Sequence, residues 1–308
     1  MVDSGSGRGT DLDASMQELV RTEGARLLGA QAAQGYRVLH STDTSAVVML
    51  KSADPERDVV FKVARLQDSA AGLGADFQRT AAVVGLARDA GVPAPAVLAV
   101  DTSGRSGPWQ YLLQEHVSGT TWRQVRPLLE EKEVDAAHRE IAEVLLAIQT
   151  VRFDQFGELD RSARPAGVPL LRALRRRADR ILRPHDRHAF RQLLDLHEQL
   201  FVDGPQQATL VHDDLHHDNI LFAQRGGRWR LAGVIDWDKA WSGPPESDVA
   251  RMAFWDDMTG HRFWQVYDEA VAVTAGRDQR LLLYQLLWCL EYGDGSDRHA
   301  GHTAELWR

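Results

Sequence analysis

One cysteine, Cys289, stands among 308 residues, which excludes an internal disulfide framework and any zinc site built on several thiolates. Lysine is nearly as scarce: Lys51, Lys62, Lys132 and Lys239 are four of 36 basic residues, and the rest are arginine. Each lysine is therefore a position to account for. No run approaches the roughly 18 consecutive apolar residues of a membrane-spanning helix; the richest, Leu281 to Leu290, is interrupted by Gln285. Met1 to Asp13 offers glycine, serine and aspartate in place of the basic start and apolar stretch of a secretory signal. Residues 1–14 are expected to be a loose tail, and the protein is expected in the cytoplasm. With 44% hydrophobic and 26% charged residues, the chain has material for one large or two modest cores.

Positive charge is deficient in one region. The net charge is −8, and residues 201–308 hold 17 acidic against 10 basic side chains. Such an acidic module disfavours nucleic acid and anionic membrane surfaces and attracts cationic small molecules. The Arg175-Arg176-Arg177 run does not alter that expectation, because three consecutive helical residues spread around the helix and form no single basic face.

From Gly35 to Leu66 the pattern is an antiparallel meander. Tyr36 to Leu39 leads into a polar turn from His40 to Ser45, then Ala46 to Leu50, a Pro55-containing turn, and Val59 to Val63. Helical spacing runs from Phe77 to Ala90 and is ended by Gly91 and Pro93. A second strand pair is expected at Ala96 to Val100 and Trp109 to Glu115. Beyond Gly119, apolar residues recur at three- and four-residue intervals over Glu133–Gln149, Leu170–Leu182 and Ala189–Phe201. Two short strands, Asn219–Phe222 and Trp229–Ile235, flank an Arg-Gly-Gly-Arg turn, and helices resume from Asp248. The expected division is a β-rich lobe over residues 1–115 and a mainly helical lobe over 116–308.

Polar chemistry concentrates in Leu210 to Phe222, LVHDDLHHDNILF. One reading is a metal hydrolase with His212, His216 and neighbouring carboxylates as ligands. Against it, the segment has no His-Glu-x-x-His arrangement, and the adjacent His216 and His217 point in different directions. The other reading takes His212-x-Asp214-x-x-x-x-Asn219, followed 22 residues after Asp214 by Ile235-Asp236-Trp237. This constellation resembles the aminoglycoside phosphotransferase family of the protein-kinase-like fold. Gly91-Val92-Pro93-Ala94-Pro95, the hinge-like Leu112 to Gly119, and Gly243-Pro244-Pro245-x-x-Asp248-Val249-Ala250 resemble further elements of that family.

The resemblance implies an α+β, protein-kinase-like fold of two lobes and a transferase moving the γ-phosphate of ATP or GTP to an alcohol group. Asp214 is then the catalytic-loop aspartate and His212 its supporting histidine. Asn219 and Asp236 are the magnesium ligands, and Asp248 braces the loop. Phosphoryl transfer needs such a set: two oxygen ligands hold Mg2+ across the phosphates, and a third carboxylate orients the acceptor hydroxyl and takes its proton. Lys62 is the one lysine on a strand placed to reach the α- and β-phosphates. Ser41, Thr42, Thr44 and Ser45 would contact the nucleotide, and main-chain groups around Glu115 to Val117 would bind the purine.

Several positions depart from the family pattern. Thr80 occupies the place of the helix glutamate that pairs with the strand lysine, with Asp76 one turn earlier as its possible replacement. Asp213 replaces a glycine, Gln149 replaces a histidine, and the turn from His40 to Ser45 contains no glycine. The acceptor is expected against the helical lobe. Asp238, Asp256, Asp257, Glu291, Asp294 and Asp297 would bind a cationic aminoglycoside or peptide antibiotic. Trp241, Trp255, Trp264, Trp288 and Tyr292 would stack a nucleoside antibiotic, or else fill the core. The leading expectation is an antibiotic phosphotransferase conferring resistance; a choline- or homoserine-type metabolite kinase and a nucleotide-binding pseudokinase are the alternatives.

Overall fold

The structure, a computed structural model, describes residues 12–29, 35–51, 58–66, 76–105, 107–292 and 297–307. The chain divides into two compact units, residues 1–85 with 95–118 and residues 86–94 with 119–308.

The first unit is built on a five-stranded antiparallel sheet. Its strands are β1 (Tyr36–Ser41), β2 (Ser45–Leu50), β3 (Val59–Arg65), β4 (Val97–Asp101) and β5 (Trp109–Glu115), in the order β1-β2-β3-β5-β4. Alternation sorts the side chains. Val59, Phe61 and Val63 join Val48, Leu50 and Leu113 in a core closed by Met16, Leu19 and Val20 of α1 (Ala14–Leu28). Ala64 and Leu112 turn to the other face and meet Phe77 of α2 (Phe77–Asp89). Lys62 shares that face in register with Leu112 and is 9% exposed.

Helix α1 corrects the expected loose tail over residues 12–14. Leu12 and Met16 are buried, the Asp13 carboxylate accepts from Ser15 N at 2.8 Å as an N-cap, and Trp109 Nε1 donates to Ser15 Oγ at 3.0 Å. Residues 1–11 lie outside the described residues. Leu12, just before the helix, and Met16, Leu19 and Val20 form a narrow stripe, joined at the helix end by the half-buried Leu27 and Leu28, and it is stable here because the sheet supplies its apolar partner.

In the second unit, α4 (Glu131–Gln149) opens with a Glu130/Glu133 capping box and buries Val134, Ala137, Ile141, Leu145 and Ile148 along one stripe. It follows β6 (Thr120–Thr121) and the short α3 (Trp122–Val125). After β7 (Arg152–Phe153) come α5 (Leu170–Ile181), α6 (Pro184–Leu196) and α7 (Glu198–Val202). The single helix expected over 189–201 is thus two, broken at His197, and α6 starts earlier because Pro184 suits a first helical turn.

Three strands then deliver the polar segment: β8 (Ala208–Val211), β9 (Ile220–Arg225) and β10 (Arg228–Val234). Gly226 and Gly227, at φ +58° and +75°, form a two-residue hairpin turn between β9 and β10. β6 adds to β9, while β11 (Trp241–Gly243) and β7 flank β8. Four helices complete the unit: α8 (Glu246–Phe254), α9 (His261–Ala270), α10 (Arg277–Glu291) and α11 (Asp297–Leu306). Leu174, Phe190, Val211, Trp241, Leu286 and Leu290 share its core.

Close approach at Gly243 leaves no room for a side chain. A Cβ there would lie 2.6 Å from Trp241 Cε2 and 2.9 Å from Val211 Cγ2. Gly243→Ala is expected to cost about 1–3 kcal/mol, read as a lowered midpoint in thermal unfolding.

Candidate active site

β8 ends at Val211, and the chain enters the loop 212–219 directly. The loop is pinned from α8: Asp248 accepts from His212 N at 2.9 Å and from Asp213 N at 2.8 Å. Asp248 is fully buried, and burial raises its carboxyl to about 7 although both amides pull the other way. Asp213 sits at φ +61°, a left-handed conformation that glycine adopts freely and aspartate tolerates. The departure from glycine is thus conformationally permitted, and the added carboxylate is held by Arg177. Burial opposes its charge, yet Arg177, Arg251 and Lys239 together keep it below the usual carboxylate range.

His212 is buried and neutral. Its Nε2–H donates to Ile235 O at 3.0 Å, and its Nδ1 accepts from Asp214 N at 3.2 Å, which fixes the tautomer. Burial lowers it from 6.5 to about 4 against the pull of Asp214 and Asp236. Between those values the unfolded chain binds the proton more readily, so this group's stabilising contribution is complete above pH 6.5 and is lost as pH falls towards 4. Measured by denaturant unfolding, the stability advantage of wild type over His212→Gln is expected to shrink by about 3 kcal/mol across that window. Asp248, whose contribution runs the opposite way, is common to both proteins and cancels.

Asp214 carries its carboxylate beside Arg251 of α8, whose Nη2 donates to Asp214 Oδ1 while Nη1 donates to Asp213 O. Asn219 ends the loop. Its Nδ2 donates to Asp214 O at 2.9 Å, which leaves Oδ1 as the oxygen to offer a ligand, and its carbonyl accepts from Ile235 N at 3.0 Å. Asn219 precedes β9, and Asp236, at φ +69°, follows β10, so both stand at one end of the hairpin. An amide oxygen and a carboxylate are hard donors suited to Mg2+. The residues therefore fit the metal that the resemblance implies.

The metal-hydrolase alternative has no such support. His212 donates to Ile235 O, and His216 Nδ1 accepts from Asp218 N at 3.2 Å, and among the described residues no three His, Cys, Asp or Glu side chains are grouped to hold a metal.

Expected nucleotide groups lie in the first unit. The β1–β2 turn is closed by a hydroxyl: Thr42 Oγ1 accepts from Ser45 N at 3.0 Å and Thr44 N at 3.3 Å, and it lies 2.9 Å from Ser45 Oγ. Ser41 ends β1 beside it. At the hinge, Glu115 N donates to Ala96 O and His116 N to Asp58 O, both at 2.9 Å, so Val117 is the next main-chain position towards Gly119. Of the departures, Gln149 bridges Pro245 O and the Tyr267 hydroxyl, at 3.0 and 3.2 Å. Asp76 accepts from Arg79 N at the start of α2.

The expected acceptor residues separate. Trp241 is 1% exposed in the core with Arg177 over its ring at 4.7 Å, which corrects its expected exposure to an acceptor. Trp264 lies on α9 against Phe263 and Tyr267. Trp288 is buried, whereas Trp255 and Tyr292 are half-buried beside it. Asp256 pairs with Arg298, Asp257 with Arg126 and Glu291 with Lys239. Asp238 lies in a single 3-10 turn over 237–239, Asp297 opens α11 exposed, and Asp294 falls outside the described residues. Arg251 and Arg177 were not anticipated. Arg251, three residues after Asp248 on one helix, had a spacing signal; Arg177 had none.

A loop of this kind, braced by a buried aspartate and followed by an Asn/Asp pair at a hairpin end, defines a protein-kinase-like phosphotransferase. The model of the phosphotransferase enzyme family (APH) matches residues 23–283, and the chain belongs to that family. It is thus a phosphotransferase acting on hydroxyl groups. No match was found among curated proteins. Similar solved structures include aminoglycoside phosphotransferase APH(4)-Ia, 20% identical, covering 95% of this chain and 96% of that one at a TM-score of 0.66. A fructosamine-3-kinase candidate from Thermobifida fusca YX-ER1 is 22% identical, with coverages of 94% and 97% and a TM-score of 0.63. APH(2″)-IIa, solved with streptomycin and ATP, is 19% identical, with 96% of each chain covered and a TM-score of 0.62. At these identities the likeness is one of fold. No described helix is long and apolar enough to cross a membrane.

Proposed function

We propose that this enzyme transfers the γ-phosphate of ATP or GTP to a hydroxyl of a small-molecule antibiotic, of aminoglycoside, peptide or nucleoside type, and so inactivates it in the cytoplasm. The observation that carries the reading is the joint placement of Asp214, Asn219 and Asp236, with Asp248 and His212 bracing the loop between them. Asp214 orients the acceptor hydroxyl and takes its proton as the oxygen bonds to the γ-phosphorus and the bond to the β,γ-bridging oxygen breaks. Asn219 Oδ1 and the Asp236 carboxylate hold Mg2+, which neutralises phosphate charge. Lys62 serves the α- and β-phosphates, Ser41, Thr42, Thr44 and Ser45 the phosphate end of the nucleotide, and the main chain from Glu115 to Val117 the purine. Residues 1–115 are in this reading the nucleotide lobe and 116–308 the acceptor lobe. Support comes also from relatives: APH(4)-Ia has been solved with AMP-PNP and hygromycin B.

The test is a coupled nucleotide-consumption assay with ATP and GTP against the three antibiotic classes. Turnover is expected to need Mg2+ and to fall about 100-fold or more in Asn219→Ala and in Asp236→Ala. Undiminished turnover after chelation, or in both variants, would refute the assigned metal ligands. Tight nucleotide binding without transfer to any acceptor would favour the pseudokinase alternative.

A further inference from the structure

A cleft of about 520 Å³ opens in the second unit, where the end of α4, the β7–β8 pair, the start of α8 and the end of α9 meet. None of Asp214, Asn219 and Asp236 lines it, so it is separate from the phosphotransfer site. Its volume lies within the roughly 300–1,000 Å³ of small-molecule sites. Leu146, Pro205, Pro245 and Val271 make the lining mainly apolar, and the exposed Ala270 borders the mouth.

Most polar side chains of the lining are already held within the protein. Gln149 bridges Pro245 O and the Tyr267 hydroxyl, Gln207 Nε2 donates to Phe153 O at 3.1 Å, and the Thr150 hydroxyl donates to Ala147 O at 2.7 Å. Of the three charged side chains, Glu246 is bound by Arg280, and Arg277 donates to Asp268 at 2.5 Å. Two side chains are not so held. Arg152 is exposed, and its guanidinium has no ion-pair or hydrogen-bond partner among the described residues, Asp154 two positions on included. The Thr209 hydroxyl has no partner among them either, although the residue is 4% exposed.

These two are neighbours. β7 and β8 pair antiparallel with Arg152 directly opposite Thr209, which places both side chains on the same face of the sheet. A buried hydroxyl without a partner costs stability, and here it stands beside an unopposed cation at the edge of an apolar cleft.

We propose that this cleft binds an amphipathic monocarboxylate. Its carboxylate accepts from the Arg152 guanidinium and the Thr209 hydroxyl, and its alkyl chain covers Leu146, Pro205 and Val271. One carboxylate can accept from both donors, which satisfies the hydroxyl and neutralises the one uncompensated charge of the lining. Burial of the chain supplies the apolar share of the binding. A cationic amphiphile would set like charge against Arg152 with no acid of the lining free to receive it, because Glu246 is buried and bound by Arg280.

Isothermal titration of the full chain with decanoate, below its micelle-forming concentration, tests this. One decanoate per chain is expected, about 10-fold tighter than decanol and weakened by added salt, with no binding of decyltrimethylammonium. As a ligand of the folded state, decanoate should also raise the thermal unfolding midpoint. Arg152→Gln is expected to weaken decanoate about 10-fold and to leave decanol unchanged. Thr209→Val keeps the shape and removes the hydroxyl, and is expected to weaken decanoate about 5-fold without lowering the unfolding midpoint of the free protein. Ala270→Trp, at an exposed position, fills the mouth and is expected to abolish binding of decanoate and decanol alike. No decanoate binding, binding undiminished in any of the three variants, or equal binding of decyltrimethylammonium would overturn the inference. None of these outcomes bears on phosphoryl transfer, which the nucleotide-consumption assay reads separately.

Discussion

Asp214→Asn is expected to lower kcat by about 1,000-fold or more while the protein still folds cooperatively. Asparagine has nearly the same volume and retains an oxygen to accept from Arg251 Nη2, so the loop keeps its shape. What it lacks is the capacity to take the acceptor proton and the negative charge that orients the hydroxyl. The substitution also leaves Arg251, 3% exposed, without its full counter-charge, so some stability is lost too. Circular dichroism beside the transfer assay separates the two effects: a native spectrum with transfer near the wild-type rate would remove Asp214 from the chemistry.

The second large effect falls on stability. Arg280 is fully buried and donates bidentately to Glu246, at 2.7 Å from Nε and from Nη2. It also donates to Ala275 O at 2.7 Å and to the Thr274 hydroxyl, tying the start of α10 to the start of α8. Arg280→Ala removes the cation and strands Glu246, itself 5% exposed, at an expected cost of about 3–5 kcal/mol. Glu246 lies two residues before Asp248, so the loop brace should loosen with it. Arg280→Lys is expected to be intermediate, since an ammonium cannot reproduce the planar fork. By contrast, Arg139 and Glu143 pair at 2.7 Å on an exposed helix face, and Arg139→Ala should cost under about 0.5 kcal/mol. Urea unfolding of the variants checks the ordering; equal losses for Arg280→Ala and Arg139→Ala would contradict it.

Much of this architecture was legible in the sequence, for local reasons. The meander β1–β3 announces itself by two-residue alternation and polar turns, α2 by its Gly91 and Pro93 stop, and the β9–β10 hairpin by Gly226-Gly227. The order of Asp214, Asn219, Asp236 and Asp248 was readable for a different reason: their spacing resembles that of a known family, and it did not depend on any local periodicity. Helix α1 was missed because its stripe of Leu12, Met16, Leu19 and Val20 is narrow and depends on the sheet to bury it. β7, β8 and β11 run for two to four residues and exist through pairing distant in sequence.

Charge was the least legible feature. Composition reveals an acidic stretch over residues 201–308, but not that Asp257 meets Arg126 or that Glu291 meets Lys239, pairs formed only by the tertiary fold. Net charge therefore suggested a cation site where the structure places paired acids. Trp241 was ambiguous for a related reason: a buried indole and a ligand-stacking indole look alike until packing is known.

Phosphoryl transfer at Asp214, with Asn219 and Asp236, is open to a direct test. The most direct measurement follows the label from γ-labelled nucleotide, in wild type and in Asp214→Asn, with the acceptor analysed by mass spectrometry. In wild type the acceptor is expected to gain one phosphoryl group and to carry the label, and in the variant at least about 1,000-fold less of it. Nucleotide consumed at the same rate by both proteins, with all label in inorganic phosphate, would contradict it.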